Sequence, residues 1–274
     1  SNLESKSRAK THDLIANAVM GYEVQPGLEL KSSFGFTDLR NGESRTLPST
    51  MYNPAYGLGA EYSSVYTLDY TRRSWIAGPQ VNWAGTFGNS KIDLLAGATF
   101  QQQRGEKIAM LGEGFASNGL LDNLAAASVV AVLNNDEVVY RYQALFGRAN
   151  YSYAGKYIVN LTARRDGSSR FGPGRQFATF GAVGAAWLFY REKAVADHVP
   201  VLSFGKLRGS YGTTGSDQIG DYQFMDTYAV SGALYSGVNG LTPSRLYNPD
   251  FGWETNTKLE GAVELGFLKD RLFL

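Results

Sequence analysis

The chain has 274 residues, with 26 Lys and Arg against 25 Asp and Glu, and this net charge of +1 gives no electrostatic case for nucleic acid or an acidic lipid surface as partner. It has no Cys, which removes disulfide frameworks, Cys-ligated zinc and thiol catalysis. Aromatics at 13 %, 17 Tyr, 32 Gly and only 8 Pro describe a Tyr- and Gly-rich all-β chain rather than a helical or disordered one.

The N-terminal residues Ser1-Asn2-Leu3-Glu4-Ser5-Lys6 hold neither an initiator Met nor an apolar signal-peptide core. At the other end, Arg271-Leu272-Phe273-Leu274 reads as the opening of a new strand, so the expectation is an excerpt of a longer chain, cut at both ends. No stretch approaches the roughly 18 apolar residues of a membrane-spanning helix.

Alternation with period two dominates from residue 28 onward. Leu28, Leu30, Ser32, Phe34 and Phe36 alternate with Glu29, Lys31, Ser33, Gly35 and Thr37. Ile92, Leu94, Ala96, Ala98 and Phe100 alternate with Asp93, Leu95, Gly97, Thr99 and Gln101. Tyr157, Val159, Leu161 and Ala163 face away from Lys156, Ile158, Asn160, Thr162 and Arg164, and Leu207, Gly209 and Tyr211 from Lys206, Arg208 and Ser210. In residues 254–267 all the charge (Glu254, Lys258, Glu260, Glu264) shares one face, and Leu259, Val263, Leu265 and Phe267 share the other. A soluble sandwich would alternate as well, but strands of about 10–14 residues meet the roughly 9–11 needed to cross a bilayer at a tilt, and soluble strands cluster near 5–6.

The connections sharpen this reading. Short turns at residues 24–27, 87–90, 154–155 and 269–270 and a modest link at 191–203 take turns with longer segments at 38–72, 104–137, 166–176 and 213–253. Outer-membrane barrels show this asymmetry of short periplasmic turns and long extracellular loops. Aromatics collect beside the short turns (Tyr22, Trp83, Phe87, Tyr151, Tyr153, Tyr157, Trp187, Phe189, Tyr190) and again at the far strand ends (Phe36, Trp75, Phe100, Tyr140, Tyr142, Phe177, Phe180, Tyr211), as two interfacial girdles would require. Hydrocarbon offers exposed backbone no hydrogen bonds, so spanning sheets close, and a Lys or Arg at mid-depth on the lipid face costs about 2–4 kcal/mol. The rows assigned outward contain no charged residue.

Within the long segments, residues 120–127 carry apolar spacing suited to a short loop helix with Asp122 or Asn123 near its start, and residues 191–199 predict a short interfacial helix. Arg165-Asp166-Gly167-Ser168-Ser169-Arg170 reads as a turn in which Asp-Gly tolerates positive φ and the hydroxyls bond back to the main chain. A functional alternative makes its Arg pair a contact for substrate or a lid protein. Thr213-Thr214-Gly215-Ser216 lacks the Lys of a P-loop, and Gly112, Gly114 and Gly119 miss the dinucleotide spacing. With only His12 and His198, a His-rich metal site is excluded and a His-based triad has little material. The sequon-like Asn160-Leu161-Thr162 falls inside a strand, so context argues against glycosylation. Tyr52, Tyr56, Tyr62 and Tyr66, and later Tyr222, Tyr228, Tyr235 and Tyr247, are spaced through the long loops and can stack on sugar rings or peptide side chains, with loop-on-loop packing as the alternative.

The signature Arg164-Arg165-Asp166-Gly167-Ser168-Ser169-Arg170-Phe171-Gly172 is followed by Thr179-Phe180-Gly181-Ala182-Val183-Gly184-Ala185-Ala186-Trp187 and Lys206-Leu207-Arg208-Gly209-Ser210-Tyr211-Gly212-Thr213-Thr214-Gly215. Gln218-Ile219-Gly220-Asp221-Tyr222 and Asn248-Pro249-Asp250-Phe251-Gly252-Trp253-Glu254-Thr255 come next. In this order the motifs resemble the barrel of the SusC/RagA family of TonB-dependent outer-membrane transporters, most strongly over residues 140–267. The resemblance implies that residues 1–274 are part of an all-β, antiparallel transmembrane barrel of about 22 strands closed around an N-terminal plug, with about ten strands present here. It also implies an importer of oligosaccharides or peptides in a Gram-negative, Bacteroidota-like outer membrane. Its partners would be a SusD-like lipoprotein lid, the TonB-ExbB-ExbD complex reached through the missing N-terminal part, and outer-membrane lipid. No catalysis, cofactor, metal or nucleic acid is implied. A passive porin or structural barrel explains the faces and girdles equally well but not the ordered motifs, and a soluble carbohydrate-binding β-sandwich predicts shorter strands and no asymmetry of connections.

Overall fold

The computed structural model describes residues 4–269 and 271–274. Among them run twelve strands: β1 (Lys6–Gln25), β2 (Leu28–Leu47), β3 (Ser64–Phe87), β4 (Ser90–Phe115), β5 (Ala127–Tyr153), β6 (Tyr157–Ser168), β7 (Phe177–Trp187), β8 (Leu202–Ser216), β9 (Thr227–Tyr235), β10 (Val238–Arg245), β11 (Glu254–Phe267) and β12 (Leu272–Phe273). One helix, α1 (Lys193–His198), occupies the link where residues 191–199 predict it. A ten-stranded sheet takes the strands in chain order from β1 to β8, then β11 and β12, while β9 and β10 form a separate hairpin. No described helix is long and apolar enough to cross a membrane, which leaves crossing by strands untouched. The described residues fall into two compact units, one of Ser1–Asn17, Gly35–Ile76 and Gln102–Tyr140, the other of Ala18–Phe34, Ala77–Gln101 and Arg141–Leu274.

In the second unit the registers turn the alternation into faces. Ala149, Leu161, Val183, Tyr211 and Leu259 stand directly opposite one another from β5 through β6, β7 and β8 to β11. Leu161, Val183, Tyr211 and Leu259 are all exposed, as residues meeting hydrocarbon in a barrel wall should be. One residue along, the row is Asn150, Asn160, Gly184, Ser210 and Glu260, which is polar and lies on the opposite face. That face also carries Lys206 and Arg208, whose Nζ and Nε reach Glu264 Oε1 at 3.2 and 2.8 Å. Charge assigned inward by sequence is therefore paired across β8 and β11.

Turns close the wall at one end of the strands. Gly27 sits at φ +83°, and a Cβ there would lie 2.3 Å from the Ala84 carbonyl oxygen, so only glycine fits. In the β5–β6 turn, Ala154 and Gly155 both adopt positive φ (52° and 62°), and Lys156 N donates to Tyr153 O at 2.9 Å, the backbone twist that tight hairpins favour. Near this end Tyr153, Tyr157 and Trp187 face one another across three strands, forming one girdle.

Several expectations change. Residues 38–72 and 104–137 are not long loops: β2 continues to Leu47, β3 starts at Ser64, β4 reaches Phe115 and β5 begins at Ala127, leaving connections of residues 48–63 and 116–126. At about 3.3 Å per residue, the 27-residue β5 far exceeds what a roughly 30 Å hydrocarbon layer needs. Beyond lipid both faces of a strand are wetted, so the ladder continues while the apolar alternation that marks it in sequence fades. The helix expected over residues 120–127 is replaced by two 3-10 turns, Asn118–Leu120 and Leu124–Ala126, capped by Ser117 and Asn123 side chains. Leu121 there joins Val65 and Phe115 in a small buried cluster that a continuous helix is not required to build. Tyr142 and Phe180, assigned to the outer girdle, instead lie on the polar face: the Tyr142 hydroxyl donates to Asp166, and Phe180 is buried against Trp253.

Candidate functional site

The five signature motifs converge in the second unit. Arg165, Asp166, Gly167 and Ser168 are not turn residues: they complete β6, paired with Leu145, Ala144, Gln143 and Tyr142 on β5. The chain turns only after them. Strand alternation then sends the neighbouring arginines to opposite faces. Arg164 donates from Nε to Asp166 and from Nη2 to the Tyr142 hydroxyl, with its guanidinium 5.8 Å from the Phe146 ring centre. Arg165 lies over the Phe177 ring at 5.5 Å, on the face of Leu161 and Ala163. A substrate- or lid-binding pair built from Arg165 and Arg170 is thus not one site, because Arg170 turns elsewhere.

Arg170 is the hub of a cluster. Its Nε donates to Asp221 Oδ1 at 3.0 Å and its Nη1 to the Asp217 carbonyl at 2.8 Å. Ser168 Oγ donates to Asp217 Oδ2 at 2.8 Å and accepts from Arg170 N at 3.3 Å. Ser169 Oγ accepts from Arg141 N at 2.9 Å, which ties the turn back to β5. Beneath lies Phe171, wholly buried, its ring 5.1 Å from Trp253, which in turn packs edge-on against Phe180 at 5.7 Å. Trp253 Nε1 donates to Gln176 O at 3.0 Å. The signature turn, the Gln-Ile-Gly-Asp-Tyr stretch and the Asn-Pro-Asp-Phe-Gly-Trp stretch are parts of one lock between the wall and the segments that rise from it. The order of these motifs along the chain does not reveal that they meet; the charge match of Arg170 with Asp217 and Asp221 is the one signal of it that the sequence carries.

The tyrosine candidates divide between the units. In the first, Tyr52, Tyr56 and Tyr62 lie in the 48–63 connection, on or beside three short 3-10 turns, and all three rings are exposed. Tyr66 is not a loop residue; it lies half-buried in β3. In the second unit, Tyr222 occupies a turn at φ 57° and is half-buried. Tyr228 and Tyr235 belong to β9 rather than to a loop. Tyr228 and Tyr247 are exposed, and the side chain of Tyr235 lies outside the described residues, as does Asp270 of the 269–270 turn. The exposed loop rings are therefore Tyr52, Tyr56, Tyr62 and Tyr247.

At the short-turn end, Glu192 gathers three donors: Lys156 Nζ at 2.9 Å, the Tyr157 hydroxyl at 2.7 Å and Trp187 Nε1 at 3.3 Å. The Lys156 ammonium first, then the Tyr157 and Trp187 donors, hold its carboxyl down at about 2. This pins the β7–α1 link to β6. Among the described residues no group of three His, Asp or Glu side chains stands close enough to hold a metal ion.

The family model described as TonB dependent receptor-like, beta-barrel matches residues 5–274. This chain belongs to that family. TonB-dependent receptor P3 of Formosa agariphila is 31 % identical over 99 % of the chain, and TonB-dependent receptor SusC of Bacteroides thetaiotaomicron 28 % over 98 %. The chain spans 27 % of the length of each of these receptors. Among solved structures, the RagAB peptide transporter superposes with a TM-score of 0.86 at 23 % identity, over 99 % of this chain and 30 % of that one. The siderophore receptor PiuA of Acinetobacter baumannii gives 0.54 at 12 % identity, over 97 % and 39 %. The transmembrane barrel architecture and the SusC/RagA resemblance read from the motifs both stand. In such a wall the exposed row of Leu161, Val183, Tyr211 and Leu259 suits contact with lipid, and the ion-paired row on the opposite face suits a lumen.

Proposed function

We propose that this chain is part of the barrel wall of an outer-membrane importer that takes oligosaccharides or peptides. It works with a SusD-like lipoprotein as lid and is energised by TonB-ExbB-ExbD through a plug encoded outside residues 1–274. The observation that carries the reading is the union of an exposed apolar row with the locked signature cluster. The first suits lipid contact, and the second holds loops in place above a polar lumen. Transport of this kind needs binding, a gate and an outside energy source, and no covalent step by the wall. Tyr52, Tyr56 and Tyr62 in the first unit, and separately Tyr222 and Tyr228 in the second, offer ring faces on which sugars or peptide side chains can stack.

Uptake of labelled oligosaccharides and peptides by cells with and without the receptor, in the presence and absence of a protonophore, tests this. Energy-dependent uptake of one class is expected. Uptake indifferent to the protonophore would instead assign a passive porin. Tyr56→Ala should lower the affinity for the imported class by about 5- to 150-fold, the range of a 1–3 kcal/mol stacking contact, by analogy with bases on aromatic rings.

A further inference from the structure

Residues 48–63 join β2 to β3 at the strand ends remote from the short turns, and the connection is pinched at its neck. Ser49 N donates to Ser63 Oγ at 2.8 Å and to Asn118 Oδ1 at 3.2 Å, the Ser63 hydroxyl donates to the same Asn118 oxygen, and Asn118 Nδ2 donates to Ser49 Oγ at 3.2 Å. One side chain from the 116–126 connection therefore holds both ends of the loop. Ser63 is 0 % and Ser49 7 % exposed, so these bonds are shielded from water, and solvent replaces a lost partner only if the neck opens. Beside them in sequence, Val65 and Leu121 are buried with Phe115.

Between the two ends the main chain is occupied with itself. The N–H groups of Met51, Tyr52, Tyr56, Gly57, Tyr62 and Ser63 close short turns, Ala55 N donates to Asn53 Oδ1 at 3.0 Å, and Gly59 N donates to Glu61 Oε1 at 3.3 Å. Glu61 is the only charged residue from 48 to 63, and residues 116–126 add only Asp122. What faces outward is aromatic: Tyr52 is 38 %, Tyr62 55 % and Tyr56 72 % exposed. A peptide brings backbone carbonyls that seek N–H donors and a terminal carboxylate that seeks a cation, and this connection offers few of the first and none of the second. A neutral sugar brings an apolar C–H face that packs on an exposed ring, with uncharged hydroxyls that stay wetted at its rim.

We propose that residues 48–63 form a preorganised platform on which Tyr52, Tyr56 and Tyr62 receive a neutral oligosaccharide, with Asn118 as the positioning residue that fixes it. Ordering a loose loop on binding costs affinity, and a neck closed beforehand removes much of that cost. The platform rests on the importer reading above and narrows its substrate class at these rings.

The test offers maltohexaose, cellohexaose, laminarihexaose, β-1,4-mannohexaose and a tryptic peptide pool to the full-length receptor in nanodiscs, with bound probe measured by native mass spectrometry. One of the sugars is expected to bind. Asn118→Ala should weaken it about tenfold, while Asn118→Asp, which keeps an oxygen for Ser49 N and the Ser63 hydroxyl, should stay within about twofold. Ser63→Ala, a smaller cut in the same neck, should move affinity in the same direction as Asn118→Ala. In a Tyr56→Ala background the Asn118→Ala change should cost about threefold or less, because the ring it holds is already gone; a full tenfold loss there would mean that Asn118 acts elsewhere. Unaltered sugar affinity in Asn118→Ala despite faster hydrogen exchange over residues 50–62, peptide bound in place of sugar, or no hexasaccharide on the unsubstituted receptor would each overturn the platform. None of these outcomes touches the importer reading, which stands or falls on energy-dependent uptake.

Discussion

Phe171 is a single ring on which three segments depend. It is wholly buried and touches Trp253, which reaches Phe180 and the Gln176 carbonyl. Phe171→Ala should cost about 3–5 kcal/mol and release residues 248–253 before the wall unfolds, seen as early proteolysis at those residues with β6–β7 amides still protected. Arg170→Ala should act on the same lock more mildly, by about 1.5–3 kcal/mol, since hydrogen bonds to charged partners are lost. Glu192 makes a pH prediction. Its carboxyl is lowered from 4.5 to about 2, so its contribution is complete above pH 4.5 and lost as pH falls toward 2. Trp187 fluorescence should therefore change within that acid window, and Glu192→Gln should remove the transition; a transition unaltered by the substitution would place its origin elsewhere. Composition makes none of these residues visible as a group, because Arg170 and Asp221 are distant in sequence and meet only once β6 and β8 are in place.

At the scale of a strand, lipid sets the stakes. Leu161 and Asn160 are neighbours on β6 but belong to opposite faces, one exposed and apolar, the other in the polar row. Leu161→Arg should destabilise the folded barrel by about 2–4 kcal/mol if its position is at mid-depth, whereas Asn160→Arg should cost much less, measured by urea titration of the full-length barrel in vesicles. Equal costs would mean that the two faces meet the same solvent. Alternation alone makes these faces legible in the sequence, down to the individual residue. The lengths of β2 to β5 are not legible there, since outside hydrocarbon no solvent difference enforces the pattern. Residues 38–47 and 127–137 read as loop for that reason, though they continue the ladder. The β9–β10 hairpin escapes for a related cause: its strands are short and offset by register shifts near Leu241 and Arg245, so neither shows a clean period.

For the chain as a whole, the sheet is not closed by its own strands. Among the described residues β1 has one neighbour, and the short β12 covers only the end of β11, from Leu265 to Phe267. Unpaired strand edges are templates for further pairing, so residues 1–274 produced alone should self-associate in detergent, with light scattering showing species above the monomer. A monodisperse monomer with protected β1 amides would contradict the open edge.

What the sequence alone determined is the solvent of each face: period-two alternation is local, and a charge-free row opposite a charged one admits a membrane wall, with ordered motifs narrowing it to one family. What only tertiary structure decided is which motifs meet, that Arg164 and Arg165 part to opposite faces at the end of a strand, and that Asn118 ties the two ends of the 48–63 connection. Those outcomes depend on strand register, and register is set by contacts between residues tens of positions apart, which no local pattern encodes.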